Sequence, residues 1–249
     1  MCGIAGIVSQ NPALTERARI GKATAALQHR GPEKEAVYRN LTGTVALGHR
    51  RLCILDLSDA AAQPMAYGDR YHLVYNGEIY NYRELKKELE ILGSTFRSAS
   101  DTEVLLSAYA RWGQDCLQKL DGAFAFAIWD EEAQTLFAAR DRFGEKPFYF
   151  STNEESFVFA SEMKALWQLG LPKDVNKAML RNFLTIGYTT NPSDPFETFY
   201  NNSFKLPAAH CLTYSLATGE LVTEGYWQTY VEVNTRISEA DAIETFTEL

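Results

Sequence analysis

The chain has 249 residues, enough for one large domain or two small ones with a sizeable core. Its hydrophobic and charged fractions, 46% and 22%, are those of a folded globular protein and exclude extended disorder. A formal charge of −8 without a Lys/Arg cluster argues against nucleic acid or a membrane surface as partner, and no apolar run is long enough to span a bilayer.

The chain opens Met1-Cys2-Gly3-Ile4-Ala5-Gly6-Ile7-Val8, a cysteine directly behind the initiator methionine at the start of an apolar strand. The segment lacks the basic flank and the length of a secretory signal, so a cytoplasmic, reducing setting is expected. If Met1 is removed, Cys2 carries both a thiol and a free α-amine. The thiolate is the nucleophilic form of a cysteine. An α-amine titrates near roughly 7.7–8.0, close enough to working pH to take the thiol proton. The alternative is a buried structural cysteine in an N-terminal strand. The four cysteines, Cys2, Cys53, Cys116 and Cys211, show neither CxxC spacing nor paired histidines, so neither a zinc site nor a disulfide framework is indicated.

The pattern predicts a helix over 13–28, stopped by His29-Arg30-Gly31-Pro32, then a strand over 45–52. His72-Leu73-Val74-Tyr75 reads as a strand running into Asn76-Gly77-Glu78-Ile79-Tyr80-Asn81, where Asn-Gly alone suggests a hairpin turn. Helices follow over 83–92, with Gly93 as stop, and from 104 to 112, with Ser100 or Asp101 as N-cap. Short apolar runs over 123–129, 135–140, 147–151 and 156–160 read as an antiparallel meander. Helices over 162–169 and 176–185 precede a strand pair over 210–216 and 221–227. At the C-terminus Ser238 and Asp241 resemble a helix start, with Ala242, Ile243, Phe246 and Leu249 on one face.

Seven segments in this order carry a family resemblance: Cys2-Gly3-Ile4-Ala5-Gly6, His29-Arg30-Gly31-Pro32, His49-Arg50-Arg51-Leu52, Asn76 to Asn81, Ser100-Asp101-Thr102-Glu103, Asp121 to Ala125, and Arg140 to Pro147. Together they resemble the glutaminase domain of class II glutamine amidotransferases of the asparagine synthetase B type. The resemblance implies an α+β fold, a four-layer αββα sandwich of two antiparallel sheets, the N-terminal nucleophile hydrolase fold. It assigns residues 2–232 to the glutaminase domain and 233–249 to the start of a helix leading into a C-terminal synthetase domain missing from this chain.

The residues make chemical sense in those roles. Attack on an amide carbonyl develops an oxyanion, and Asn76 with the Gly77 N–H could receive it. Glutamine also presents an α-carboxylate and an α-ammonium. Arg51 resembles the carboxylate binder, with Arg50 as the alternative, because strand neighbours face opposite ways. Glu78 and Asp101 match the positions that receive the ammonium, and each also has a plainer reading, a solvated turn carboxylate and a helix cap. Ile54 and Leu55 match backbone lining of the same pocket, and Cys53 reads as a packing residue. His29 and His49 read as structural, and 140–147 as a charged structural turn.

The resemblance implies hydrolysis of L-glutamine to glutamate and ammonia through a Cys2 thioester, the ammonia serving an ATP-dependent synthetase domain. No cofactor and no metal is expected in this chain. ATP and Mg belong to that further domain, whose Ser-Gly-Gly-rich pyrophosphate loop is absent here. Aspartate, a sugar or a peptide carboxylate are all acceptors open to such proteins. A glutamine-sensing domain with little turnover and an N-terminal-cysteine hydrolase of another amide are the alternatives. Pairing as a homodimer is left open.

Overall fold

A computed structural model describes residues 1–52, 58–233 and 236–248. The elements in chain order are β1 (Gly3–Ser9), α1 (Arg17–Ala25), β2 (Lys34–Arg39), β3 (Val45–Arg51), β4 (Met65–Tyr67), β5 (Tyr71–Ile79), α2 (Tyr82–Ile91), α3 (Asp101–Trp112), β6 (Gly122–Asp130), β7 (Thr135–Arg140), β8 (Tyr149–Thr152), β9 (Ser156–Ala160), α4 (Met163–Gln168), α5 (Lys177–Ile186), β10 (Phe204–Lys205), β11 (His210–Ser215), β12 (Leu221–Gly225) and α6 (Glu239–Glu248).

They build two antiparallel six-stranded sheets, ordered β10-β8-β9-β1-β3-β2 and β12-β11-β7-β6-β5-β4. Between the sheets pack Ile4, Val8, Val45 and Leu47 from one, and Val74, Ala127, Trp129 and Leu136 from the other. The outer face of the first sheet, with Ala5, Ile7 and Ala46, is covered by Ile20, Ala23 and Leu27 of the α1 segment and Ala165 and Leu166 of α4. The outer face of the second, with Leu73, Phe126 and Ile128, is covered by Leu85 and Leu89 of α2 and Val104 and Leu105 of α3. The result is the αββα sandwich. Central strands are therefore buried on both faces, as in β1, where all seven residues are inside. That is why they read as apolar runs instead of alternating ones.

Several expectations need correction. The first helix begins at Arg17, not Ala13, because the Asn11 side chain accepts the Ala13 N–H at 3.1 Å and holds a turn there. The half-exposed edge strand β2 and the three-residue β4 lacked a readable pattern. Asn76-Gly77 is no hairpin turn: β5 runs straight through it, pairing Asn76 with Ala125 and Gly77 with Phe124 of β6. The meander is divided, since β6 and β7 pair in the second sheet and β8 and β9 in the first. The chain crosses between them in the turn after β7, which is organised by the fully buried Asp141. Its carboxylate accepts the backbone N–H groups of Phe124, Phe143, Glu145 and Lys146 at 2.9–3.3 Å. α6 starts where the C-terminal pattern predicts, with the Asp241 N–H on Ser238 Oγ at 3.2 Å, and buries none of its residues. Leu249 lies outside the described residues.

Candidate active site

Cys2 leads into β1, Arg51 ends β3, and Asn76, Gly77 and Glu78 lie near the end of β5. β1 and β3 are hydrogen-bonded neighbours, with Gly3 opposite Arg50, so Cys2 and Arg51 meet at one edge of the first sheet. Strand alternation turns Asn76 and Glu78 to the face that carries Val74, toward the other sheet. These residues and Asp101 line one cleft of about 100 Å³.

Cys2 is held from two sides. Its carbonyl accepts the Arg30 Nε–H at 2.9 Å, and its sulfur accepts the Leu52 N–H at 3.5 Å. Arg30 is in turn paired with Glu162 at 3.0 Å. Gly31 lets this loop approach β3, since a Cβ there would stand 2.4 Å from the Arg50 backbone. Burial pushes the Cys2 thiol up from its ordinary value, against the opposing pull of the Leu52 N–H, the amino terminus and Arg51. At rest the sulfur is protonated and requires a base.

Asn76 is 1% exposed, and its Nδ2 has no hydrogen-bond acceptor among the described residues. A buried amide donor without a partner is costly unless a ligand oxygen completes it, and Asn76 lines the cleft. Beside it, no side chain fits at Gly77: an added Cβ would lie 2.5 Å from the Ala123 carbonyl oxygen.

Arg51 lines the cleft, and its guanidinium donates to the Ser58 carbonyl at 3.0 Å. Arg50 points the other way, to the Gly31 carbonyl at 3.0 Å and Glu35 at 2.6 Å, so it is no alternative ligand in this cleft. Ser100, not Asp101, caps α3, accepting the Glu103 N–H. Asp101 is thereby free to enter the cleft. It is 5% exposed, and its Oδ2 accepts the Tyr75 hydroxyl at 2.6 Å and the Ile79 N–H at 3.0 Å. Burial pushes its carboxyl up from the usual range while these donors pull it back. Glu78 is half-buried and lines the same cleft, which answers its reading as a solvated turn carboxylate. Ile54, Leu55 and Cys53 lie outside the described residues.

No histidine lines the cleft among the described residues. His29 pairs with Glu162 at 2.9 Å. His49 is fully buried, its Nε2–H donating to the Tyr75 carbonyl at 3.2 Å across the two sheets, and burial pushes its pKa down to about 3. Both are structural, as read from the sequence. The 140–147 turn is structural too, but it does more, since it brings Lys146 to the cleft. Gln63, Tyr75, Ser100 and Thr102 also line it and were missed. Nothing local marks Gln63 or Lys146, which long-range folding brings in. Among the described residues no cluster of His, Cys, Asp or Glu could hold a metal ion, and Cys2, Cys116 and Cys211 are free thiols.

A family model described as a glutamine amidotransferase domain matches residues 1–227. The chain is 41% identical over 220 residues to the glutamine-hydrolysing asparagine synthetase 3 of Bacillus subtilis, covering 86% of this chain and 35% of that protein. It is 36% identical over 248 residues to a putative glutamine-hydrolysing asparagine synthetase 2 of Methanocaldococcus jannaschii, covering 92% and 47%. The chain thus spans between about a third and a half of these curated relatives. Among solved structures, the glutamine phosphoribosylpyrophosphate amidotransferase of B. subtilis superposes with a TM-score of 0.65 at 22% identity, over 92% of this chain and 50% of that one. It has the same sandwich fold.

Proposed function

The chain belongs to the class II glutamine amidotransferase domain family, and from that premise we propose that it hydrolyses L-glutamine to glutamate and ammonia with Cys2 as nucleophile. The observation that carries this reading is the unpartnered, buried Nδ2 of Asn76, a residue that lines the same cleft as Cys2. Removal of Met1 exposes the Cys2 α-amine, which takes the thiol proton. The sulfur attacks the side-chain carbonyl carbon of glutamine, and the oxyanion is received by Asn76 Nδ2 and the Gly77 N–H. Collapse expels ammonia, which leaves with the proton returned by the ammonium. Water, deprotonated by the same amine, then attacks the γ-glutamyl thioester, and glutamate departs as the thiol is reprotonated. Arg51 holds the substrate carboxylate, and Asp101 with Glu78 holds its ammonium. The reaction needs no cofactor.

Ammonia released by residues 2–232 is proposed to serve an ATP-dependent synthetase domain of the parent protein, to which the helix in 233–249 leads. Aspartate is the acceptor in this proposal, after the names of the relatives, and the setting is cytoplasmic. Among the described residues no helix is long and apolar enough to cross a membrane.

The test is glutamine-dependent ammonia release by protein shown by intact mass to begin at Cys2, beside its Cys2→Ala variant. Release that vanishes in the variant supports the proposal. Near-normal release in the variant overturns it, and glutamine binding without release favours the sensing alternative.

A further inference from the structure

Tyr75 lines the cleft beside Asn76 and Asp101. It is 2% exposed, on the helix-covered face of β5 opposite to Asn76. Its ring stands close to Gly77, with Cε2 2.7 Å from where a Cβ on that glycine would be. Its hydroxyl donates to Asp101 Oδ2 at 2.6 Å. The Tyr75 N–H donates to Gln63 Oε1 at 2.6 Å, and Gln63 Nε2 donates to Thr102 Oγ1 at 3.4 Å. Gln63, Tyr75, Asp101 and Thr102 thus close a ring that ties β5 to the N-terminus of α3.

We infer that Tyr75 is a positioning residue for the substrate ammonium, its hydroxyl fixing the Asp101 carboxylate in the cleft. The inference rests on the glutaminase reading and adds to it a residue that does not itself touch substrate. An ammonium is bound by a carboxylate and not by a carboxylic acid, and burial works against the ionised form of Asp101. Two donors from β5, the Tyr75 hydroxyl and the Ile79 N–H, converge on one oxygen and favour it. Only the hydroxyl can be removed without touching the backbone. Among the described residues, the other charged or titratable groups lining the cleft with Asp101 are Glu78 from β5, the Cys2 thiol with the amino terminus, Arg51 from β3 and Lys146 from the turn after β7. Glu78 disfavours a second negative charge nearby, which increases the reliance on a hydroxyl donor.

The experiment compares wild type and Tyr75→Phe, both beginning at Cys2. For the variant, KM for glutamine should rise about ten- to a hundredfold, the cost of a hydrogen bond to a charged group, with kcat within about twofold. The acidic limb of kcat/KM should move to higher pH, since Asp101 loses a donor to its ionised form. A second ligand separates positioning from loosened packing. Glutaramate, glutamine without its α-ammonium, should compete equally well in both proteins, because Asp101 has no partner on it. An unchanged KM and acidic limb, or an equal loss toward glutaramate, overturns the inference. Should wild type bind glutamine without releasing ammonia, the hydrolase reading fails on its own, and the same wild-type-to-variant ratios are then read from Kd.

Discussion

Arg50 and Arg51, consecutive on β3, send their guanidinium groups to opposite faces of one sheet. Arg50 reaches Gly31 and Glu35, whereas Arg51 lines the cleft with Cys2 and Asp101. The two charges therefore do different work. Arg51→Ala should raise KM for glutamine about ten- to a hundredfold. Arg50→Met should leave KM unchanged and lower stability by roughly 1–3 kcal/mol, because the Glu35 carboxylate and the Gly31 carbonyl lose their donor. Steady-state kinetics beside denaturant titration of both variants distinguishes the roles, and a KM effect at Arg50 would refute the assignment.

Asn76 has a buried Nδ2 with nothing to donate to among the described residues. Asn76→Ala should therefore lower kcat by about 10²–10³ with little change in KM, because the missing donor matters only once the oxyanion forms. The same change should cost little stability, since no existing hydrogen bond of that amide donor is broken. A drop confined to KM would show that the side chain binds ground-state substrate instead.

His49 titrates at 6.5 in an ordinary environment and at about 3 in the fold. Between these values the unfolded chain binds more protons than the folded one, so stability falls as pH drops through that window. At pH 5 the histidine costs about 2 kcal/mol relative to a residue that does not titrate. His49→Gln should flatten the acid side of the stability–pH curve between pH 7 and 5. Curves that run parallel for the two proteins would exclude this origin.

Gly77→Ala should prevent correct folding of the second sheet. The added methyl meets the Ala123 carbonyl oxygen at 2.5 Å and the Phe124 Cα at 2.7 Å, both main-chain atoms that cannot swing aside. Alanine at Gly21, inside α1 where nothing stands within 4 Å, is the matched control and should raise the melting temperature slightly, through the roughly 0.5–1 kcal/mol that alanine gains over glycine within a helix. A Gly77→Ala protein that melts like wild type would contradict the close approach.

Much of the molecule was legible in local pattern. The strand at Cys2, α2 with its stop at Gly93, α3, β6, β7, β9, α4, α5 and the β11–β12 pair all fall where apolar runs and capping residues put them. The ordered segments from Cys2-Gly3-Ile4 to Arg140–Pro147 carried the family and, through it, the sandwich.

Long-range contact decided the rest. Asn-Gly favours a turn locally, but pairing with β6 across 122–125 keeps β5 extended through it. The runs over 135–140 and 147–151 look like successive hairpin strands, yet the buried Asp141 gathers four backbone donors and sends them to different sheets.

Sequence alone determined which residue types the chemistry needs and the order in which the chain presents them, because strand alternation, helix capping and motif order are local properties. Tertiary structure alone decided that Arg51 and not Arg50 enters the cleft, that Ser100 releases Asp101 from capping, and that Tyr75 and Lys146 join them. Those outcomes depend on which face of a strand meets which neighbour, and that is settled only when sheets and helices pack against one another.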